Sequence, residues 1–96
     1  MKKLNLLLLL LFISCSQGAQ EKFKTGQAVY EARCSSCHGP ELEGRVGPNI
    51  DSNSPSASMP DSYWVQTITK GKGSMPAVRL SEIEVQLVIE YIKSNY

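Results

Sequence analysis

The last part of the chain, from Leu80 to Tyr96, repeats apolar residues at the spacing of one helix face. Ser81 and Glu84 have the spacing of a capping box, in which each residue binds the backbone N–H of the other. The pattern therefore predicts an amphipathic helix that packs through a single apolar stripe. The stripe consists of Ile83, Leu87, Val88, Tyr91 and Ile92.

Two earlier segments also have the pattern of a helix with one apolar side. The first covers residues 22–34, and the second covers residues 60–70, where Asp61 is a candidate N-cap. Gly26 lies inside the first segment and costs roughly 1 kcal/mol of helix stability relative to alanine. A glycine is tolerable here if it lets another helix approach closely; the alternative is an incidental glycine. The expected buried positions are Phe23, Val29, Tyr30, Ala32, Trp64, Val65 and Ile68.

The segments between these helices are predicted to be loops. Residues 39–51 and 71–77 are rich in glycine and proline, and residues 52–58 are mostly serine and other small residues. Residues 25–45 show no strand-like alternation of apolar and polar positions. A chain of 96 residues is long enough for one domain, so we expect a single all-α domain.

The first 15 residues have the character of a secretory signal. Two lysines precede an apolar run over residues 4–13 that is too short to span a bilayer. The run ends in Phe-Ile-Ser-Cys, which resembles the lipidation motif of bacterial lipoproteins and predicts a lipid anchor on Cys15. The alternatives are an uncleaved signal anchor and ordinary cleavage near Gly18 or Ala19.

Residues 16–21 are then a short polar tether, and residues 22–96 form the folded domain. The whole chain has ten basic and nine acidic residues. Without Lys2 and Lys3 it has eight basic and nine acidic residues, a net charge of −1. This balance is not that of a nucleic-acid-binding protein.

The central motif is Cys34-Ser35-Ser36-Cys37-His38. Cys-x-x-Cys-His is the pattern of covalent haem attachment, with both sulfurs on one helical turn and the histidine placed to bind iron. A redox dithiol requires a flanking βαβ pattern, and a zinc site requires about four ligands. The chain has one further cysteine, Cys15, and no second histidine. Two unrelated cysteines remain as the third alternative.

A second candidate ligand is Met75, in the segment Gly73-Ser74-Met75-Pro76-Ala77. Packing alone seldom explains a large apolar side chain in a Gly/Pro loop, and a thioether is a suitable ligand for haem iron. Ser-Met-Pro also occurs at residues 58–60, so Met59 is a rival.

The order of these motifs resembles that of the class I, monohaem cytochromes c, in particular the small bacterial membrane-anchored lipoproteins. The resemblance extends over residues 23–96 and rests on residues 26–30, residues 34–39, Gly47-Pro48-Asn49, residues 73–77 and the last helix. It implies an all-α, small cytochrome c fold in which three to four helices surround one covalently attached haem c. It also implies that the helix crossing at Gly26 is the last one.

The resemblance also implies the iron ligands. Cys34 and Cys37 would attach the haem, and His38 and Met75 would be its axial ligands. Met75 is preferred to Met59 because it lies immediately before the last helix, where the family has its methionine ligand.

Three further residues are candidate haem contacts. The resemblance implies that the carbonyl of Pro48 accepts a hydrogen bond from His38 and fixes its iron-binding tautomer, unless the segment is a plain turn. Asn49 belongs to the same segment. Trp64 either donates its indole N–H to a haem propionate or is a core residue without haem contact.

The implied function is one-electron transfer by a monomer that is not an enzyme. The implied partners are redox proteins, with a quinol:cytochrome c reductase as donor and a terminal oxidase or other reductase as acceptor. The expected location is the extracytoplasmic side of a bacterial membrane or the periplasm, in a respiratory chain. Lys70, Lys72 and Arg79 are either a basic docking rim around Met75 or ordinary solvated side chains.

Two other functions remain open at this point. One is a haem enzyme or a gas or redox sensor with a labile sixth ligand. The other is a fixed haem subunit of a larger oxidase or reductase.

Overall fold

The computed structural model describes residues 22–96, so the predicted signal, the tether and Cys15 lie outside the described residues. This part contains helices α1 (Gly26–Arg33), α2 (Ser35–His38), α3 (Asp61–Lys70) and α4 (Glu82–Ser94), and a 3₁₀ helix at Pro55–Ser58. It has no strand beyond an isolated bridge between two loop residues. Within it, no helix has the length and apolarity needed to cross a membrane. The prediction of an all-α fold is confirmed.

The first and last helices cross at very short distance. A Cβ atom added to Gly26 would lie 2.1 Å from the carbonyl oxygen of Leu87 and 2.7 Å from Cβ of Tyr91. The predicted crossing at Gly26 is therefore confirmed, because only a residue without a side chain allows it. Helix α3 packs on α4 as well. Together with the loop between α2 and the 3₁₀ helix, these helices bury Val29, Tyr30, Leu42, Ile50, Trp64, Ile68, Val85, Val88, Ile89 and Ile92.

Helix α1 is shorter than the sequence predicted. It begins at Gly26 and not at Lys22, because the hydroxyl of Thr25 accepts a hydrogen bond from the backbone of Ala28 (3.1 Å) and caps the helix there. Ala32, expected to be buried, is exposed. The apolar side of α1 thus consists mainly of residues close to the crossing.

The capping box of α4 is confirmed, but its predicted apolar stripe is wrong in part. The Ser81 hydroxyl and the Glu84 carboxylate each bind the other residue's backbone N–H. Ile83 is 56% exposed, whereas Val85 and Ile89 are buried. Two helices pack on α4, so its buried face is centred on their shared side and turned away from Ile83.

Two predictions about residues 52–61 are also corrected. Residues 55–58 form a 3₁₀ helix with proline at its first position, in a segment predicted to be a plain loop. Asp61 does not cap α3: Pro60 holds the N-cap position, and the Asp61 carboxylate forms a salt bridge with Lys93 of α4. This pair joins the start of α3 to the end of the last helix.

The carboxylate of Glu84 fastens the beginning of the domain to α4. It accepts backbone hydrogen bonds from Ser81 (2.9 Å), Lys22 (2.8 Å) and Phe23 (2.9 Å), although the side chain is buried. The bond from Ser81, followed by those from the other two residues, lowers the pKa of Glu84 to about 2. The acid is therefore ionised in the folded protein at neutral pH.

We expect Gly26→Ala to lower the free energy of unfolding by about 1–3 kcal/mol, because the added methyl group forces α1 away from α4. Chemical denaturation followed by circular dichroism measures this change. Gln27→Ala, at the exposed neighbouring position, is the control and should change stability by less than about 0.5 kcal/mol. A more stable Gly26→Ala protein would mean that helix propensity outweighs the crossing.

We expect Glu84→Gln to lower the melting temperature at neutral pH and to remove part of its pH dependence. Because the pKa of Glu84 falls from its usual 4.5 to about 2 on folding, its stabilising effect is complete above about pH 4.5 and disappears as the pH falls towards 2. The difference in melting temperature between wild type and Glu84→Gln should therefore shrink over this range. Glu82→Gln, exposed in the same turn, is the control. A difference that stays constant with pH would contradict this account.

Candidate cofactor-binding site

Cys34, Cys37 and His38 lie on a single helical turn that directly follows α1. The backbone N–H groups of Cys37 and His38 both donate to the carbonyl of Cys34, at 3.2 and 3.0 Å. The side chain of Cys34 is half-buried, that of Cys37 is exposed and that of His38 is half-buried. The turn thus presents two thiols and one imidazole in a compact, partly accessible group.

A buried tyrosine fixes the chain where it leaves this turn. The hydroxyl of Tyr30 donates to the carbonyl of Gly39 at 2.6 Å, and Gly39 has a φ of +87° that reverses the chain. Burial, followed by the nearby Cys34, raises the pKa of Tyr30 well above its usual value. The phenol therefore remains protonated and stays a hydrogen-bond donor.

The imidazole of His38 is held in one tautomer. Its Nδ1 atom lies 2.7 Å from the carbonyl oxygen of Pro48, the contact that the family resemblance implies. A carbonyl can only accept, so Nδ1 carries the proton and Nε2 has a free lone pair for a metal. Gly47 lies against the imidazole ring, since a Cβ added to Gly47 would be 3.0 Å from Cε1 of His38. The backbone N–H of Gly47 donates to the carbonyl of Cys37 at 2.8 Å.

The thiol of Cys34 lacks the lowered pKa of a catalytic dithiol. Burial, followed by the neighbouring Cys37, raises the pKa of the Cys34 thiol to about 11. Catalytic dithiols have lowered pKa values, because the thiolate is the reactive form. A zinc site is not supported either: residues 22–96 contain no group of three or more His, Cys, Asp or Glu that could hold a metal ion.

Met75 lies in a loop that is fastened to α3 at both ends. The N–H of Gly71 donates to Thr67 O (2.9 Å), and the N–H of Val78 donates to Ile68 O (2.8 Å). Met75 itself is half-buried. The rival Met59 follows the 3₁₀ helix and is 38% exposed. Of the two methionines, Met75 is the less exposed.

Trp64 provides a direct test of whether a haem fits this chain. Its side chain is only 5% exposed and belongs to the core, and its indole N–H has no hydrogen-bond partner among the described residues. A buried donor without an acceptor costs about 1–3 kcal/mol. An anionic group of a bound cofactor, such as a propionate, would remove this penalty, so the surroundings of Trp64 fit a haem.

The side chain of Asn49 forms a hydrogen bond within its own loop. Its side-chain amide donates to the carboxylate of Asp51 at 2.9 Å and so stabilises its own loop. That carboxylate also accepts from the backbone of Asn53 at 3.0 Å. Asn49 is half-buried, and its amide N–H is thus used within the loop.

The three basic residues near Met75 are all exposed, but one of them has a defined contact. The ammonium of Lys72 donates to the hydroxyl of Tyr63 at 2.9 Å and lowers the pKa of that phenol. Sequence reasoning missed Tyr63, because a separation of nine positions matches no helical or strand spacing. It also missed the contact of Tyr30 with Gly39 for the same reason.

Comparison with known proteins identifies one family. Residues 21–92 match the family model described as "Cytochrome C oxidase, cbb3-type, subunit III". Cytochrome c-551 of Bacillus subtilis (strain 168) is 28% identical over 71 residues, which cover 73% of this chain and 61% of that protein. The match therefore spans less than two thirds of the relative's own length.

Two solved structures are similar in fold. Cytochrome cL from Hyphomicrobium denitrificans superimposes with a TM-score of 0.59 and 33% identity, over 71% of this chain and 44% of that one. The c-type cytochrome NirC has the same TM-score with 22% identity, over 72% of this chain and 85% of that one. The second likeness supports the fold alone.

We expect Tyr30→Phe to lower the free energy of unfolding by about 1–3 kcal/mol, because the buried carbonyl of Gly39 loses its donor. Denaturant titration measures the loss. Tyr91→Phe is a matched control, since the Tyr91 hydroxyl has no hydrogen-bond partner within residues 22–96 and its ring packs on the ring of Tyr30 at 5.5 Å. Equal effects of the two substitutions would show that the 2.6 Å bond contributes nothing.

Proposed function

The chain belongs to the cytochrome c family, whose members carry covalently bound c-type haem, and we propose that it is a one-electron carrier with His38 and Met75 as axial ligands. Cys34 and Cys37 would attach the haem through thioether bonds. The observation that carries the proposal is the 2.7 Å contact of His38 Nδ1 with Pro48 O beside the two thiols. It leaves Nε2 as the one ring nitrogen able to bind iron.

The bound haem would supply the one-electron couple of its iron. His38, from the helical turn α2, and Met75, from the loop after α3, would both bind that iron, and backbone hydrogen bonds fix both segments. A neutral thioether ligand favours the reduced state and raises the reduction potential. With both residues as ligands, no site on the metal would remain open to a substrate.

Pro48 and Trp64 would support the cofactor without touching the iron. The Pro48 carbonyl orients the imidazole and increases its basicity. The buried indole N–H of Trp64 would donate to a propionate, which accounts for its lack of a protein acceptor. For Asn49, we propose a role in shaping the loop around Pro48 through its bond to Asp51.

We propose a place for this carrier in a respiratory chain on the extracytoplasmic side of a bacterial membrane, attached through lipidated Cys15. A quinol:cytochrome c reductase would be the donor and a terminal oxidase or other reductase the acceptor. The exposed side chains of Lys70 and Arg79 lie on either side of Met75 in sequence and would favour an acidic docking surface on the partner.

A second candidate is a fixed haem subunit of a larger oxidase, and the description of the matched family favours it. The two functions differ in assembly. A carrier purifies as a monomer that exchanges electrons with a separate oxidase, whereas a subunit purifies with its complex in fixed ratio. Gel filtration of the detergent-extracted native protein, with haem staining of the fractions, distinguishes them.

We expect Met75→Ala to abolish the sulfur-to-iron charge-transfer band of the ferric protein and to convert its low-spin spectrum to high spin, because the thioether ligand is gone. The ferrous variant should also bind carbon monoxide at neutral pH, which the wild type should not. Absorption spectra of the two oxidation states measure both effects.

Met59→Ala is the matched control and should leave the spectrum unchanged. The opposite result, a lost band in Met59→Ala and an intact band in Met75→Ala, would exchange the roles of the two methionines. A high-spin wild type that binds carbon monoxide would instead support a haem enzyme or sensor.

A further inference from the structure

The loop that contains Met75 is a short hairpin, residues 71–78, which we call the Met75 hairpin. Two backbone hydrogen bonds close it, from Lys72 N to Met75 O (3.0 Å) and from Met75 N to Lys72 O (2.9 Å). Gly71 allows the chain to leave α3 and enter the hairpin, because its φ is +79° and a Cβ there would lie 2.6 Å from Met75 O. The position of Met75 therefore follows the position of Lys72.

The side chain of Lys72 binds α3. Its ammonium lies 2.9 Å from the hydroxyl of Tyr63 and 4.8 Å from the centre of the Tyr63 ring, so it makes both a hydrogen bond and a cation–π contact. The Tyr63 ring is half-buried and packs edge-on against buried Trp64, with ring centres 6.4 Å apart. Tyr63 thus packs against the core and binds the exposed side chain of Lys72.

The rest of the hairpin is held only at its ends. Gly71 and Val78 bond to the last turn of α3, while Ser74, Pro76 and Ala77 are exposed. Within residues 22–96, the Lys72–Tyr63 contact is the side-chain hydrogen bond that joins the hairpin to a helix. It acts directly on the residue whose backbone is paired with Met75.

We propose that Tyr63 and Lys72 are positioning residues that hold Met75 in place to bind the haem iron. The inference rests on the proposed function, in which Met75 is a ligand. Lys72 would fix the hairpin to α3, and Met75, paired with the Lys72 backbone, would be held with it. Loss of the contact would let the hairpin move away from the iron more often, so a competing ligand would displace Met75 more easily.

The chain provides a matched control for charge. Lys70 is also exposed and lies two positions before Lys72, but its side chain has no hydrogen bond or salt bridge among residues 22–96. Lys70→Met and Lys72→Met remove the same charge from the same surface. A difference between them therefore reports the contact with Tyr63 and not the general electrostatics.

The test is imidazole binding to the ferric holoprotein, followed by the loss of the sulfur-to-iron charge-transfer band. We expect Lys72→Met and Tyr63→Phe to bind imidazole about threefold to tenfold more tightly than wild type, the effect of losing one such contact. Lys72→Arg, which keeps a cationic donor, should bind within about twofold of wild type, as should Lys70→Met. The double variant Tyr63→Phe/Lys72→Met should equal Lys72→Met alone.

Three results would overturn the inference and leave the proposed function intact. The first is an unchanged imidazole affinity in both single variants, and the second is an equal affinity in Lys70→Met and Lys72→Met. The third is an additive effect of the two substitutions in the double variant. A wild-type protein without the charge-transfer band would overturn both. Thermal unfolding of every variant provides a separate readout. Tighter imidazole binding at an unchanged melting temperature supports positioning, whereas a lowered melting temperature with unchanged imidazole affinity shows a purely structural contact and overturns the inference.

Discussion

The close crossing of α1 and α4 at Gly26 is the contact on which the rest of the structure depends. The backbones meet so closely that the next turn of α1 places Tyr30 fully inside the core, against Tyr91. Tyr30 in turn holds the carbonyl of Gly39, directly after the turn with the two cysteines and the histidine. A helix–helix contact thus determines where His38 lies, through one buried hydroxyl.

Backbone hydrogen bonds fix the segments that carry the proposed ligands. Carbonyl groups orient the imidazole and hold both the helical turn of His38 and the loop of Met75, and Gly39 and Gly71 supply the changes of chain direction that follow α2 and α3. Backbone contacts of this kind depend on chain geometry and not on long, flexible side chains, so they position a ligand at little cost in side-chain entropy. The exposed Lys72 is the exception, since it adds a side-chain link to the hairpin of Met75.

The sequence predicts those parts of the molecule that local spacing determines. The capping box of α4, the single turn from Cys34 to His38 and the glycine at the crossing each follow from a short pattern with a physical reason. Buried faces depend instead on tertiary packing, so Ile83 was expected to be buried and is not. The burial of Leu42 and Ile50 could not be predicted either. Both are loop residues that lie in the core, and the backbone N–H of Ile50 donates to the carbonyl of Leu42. No periodicity in the sequence indicates this pairing.

The Glu84 carboxylate has a consequence for the order of events during synthesis. It joins Lys22 to a residue 62 positions further along the chain, so the domain closes only when the final helix is available. Pairing over such a distance must overcome a large loop entropy and is slow compared with local helix formation. The segment with Cys34 and Cys37 lies earlier in the chain than that helix, so it is made before the domain can close. Cys34 is half-buried in the folded domain, so its thiol is most accessible to other molecules before this closure.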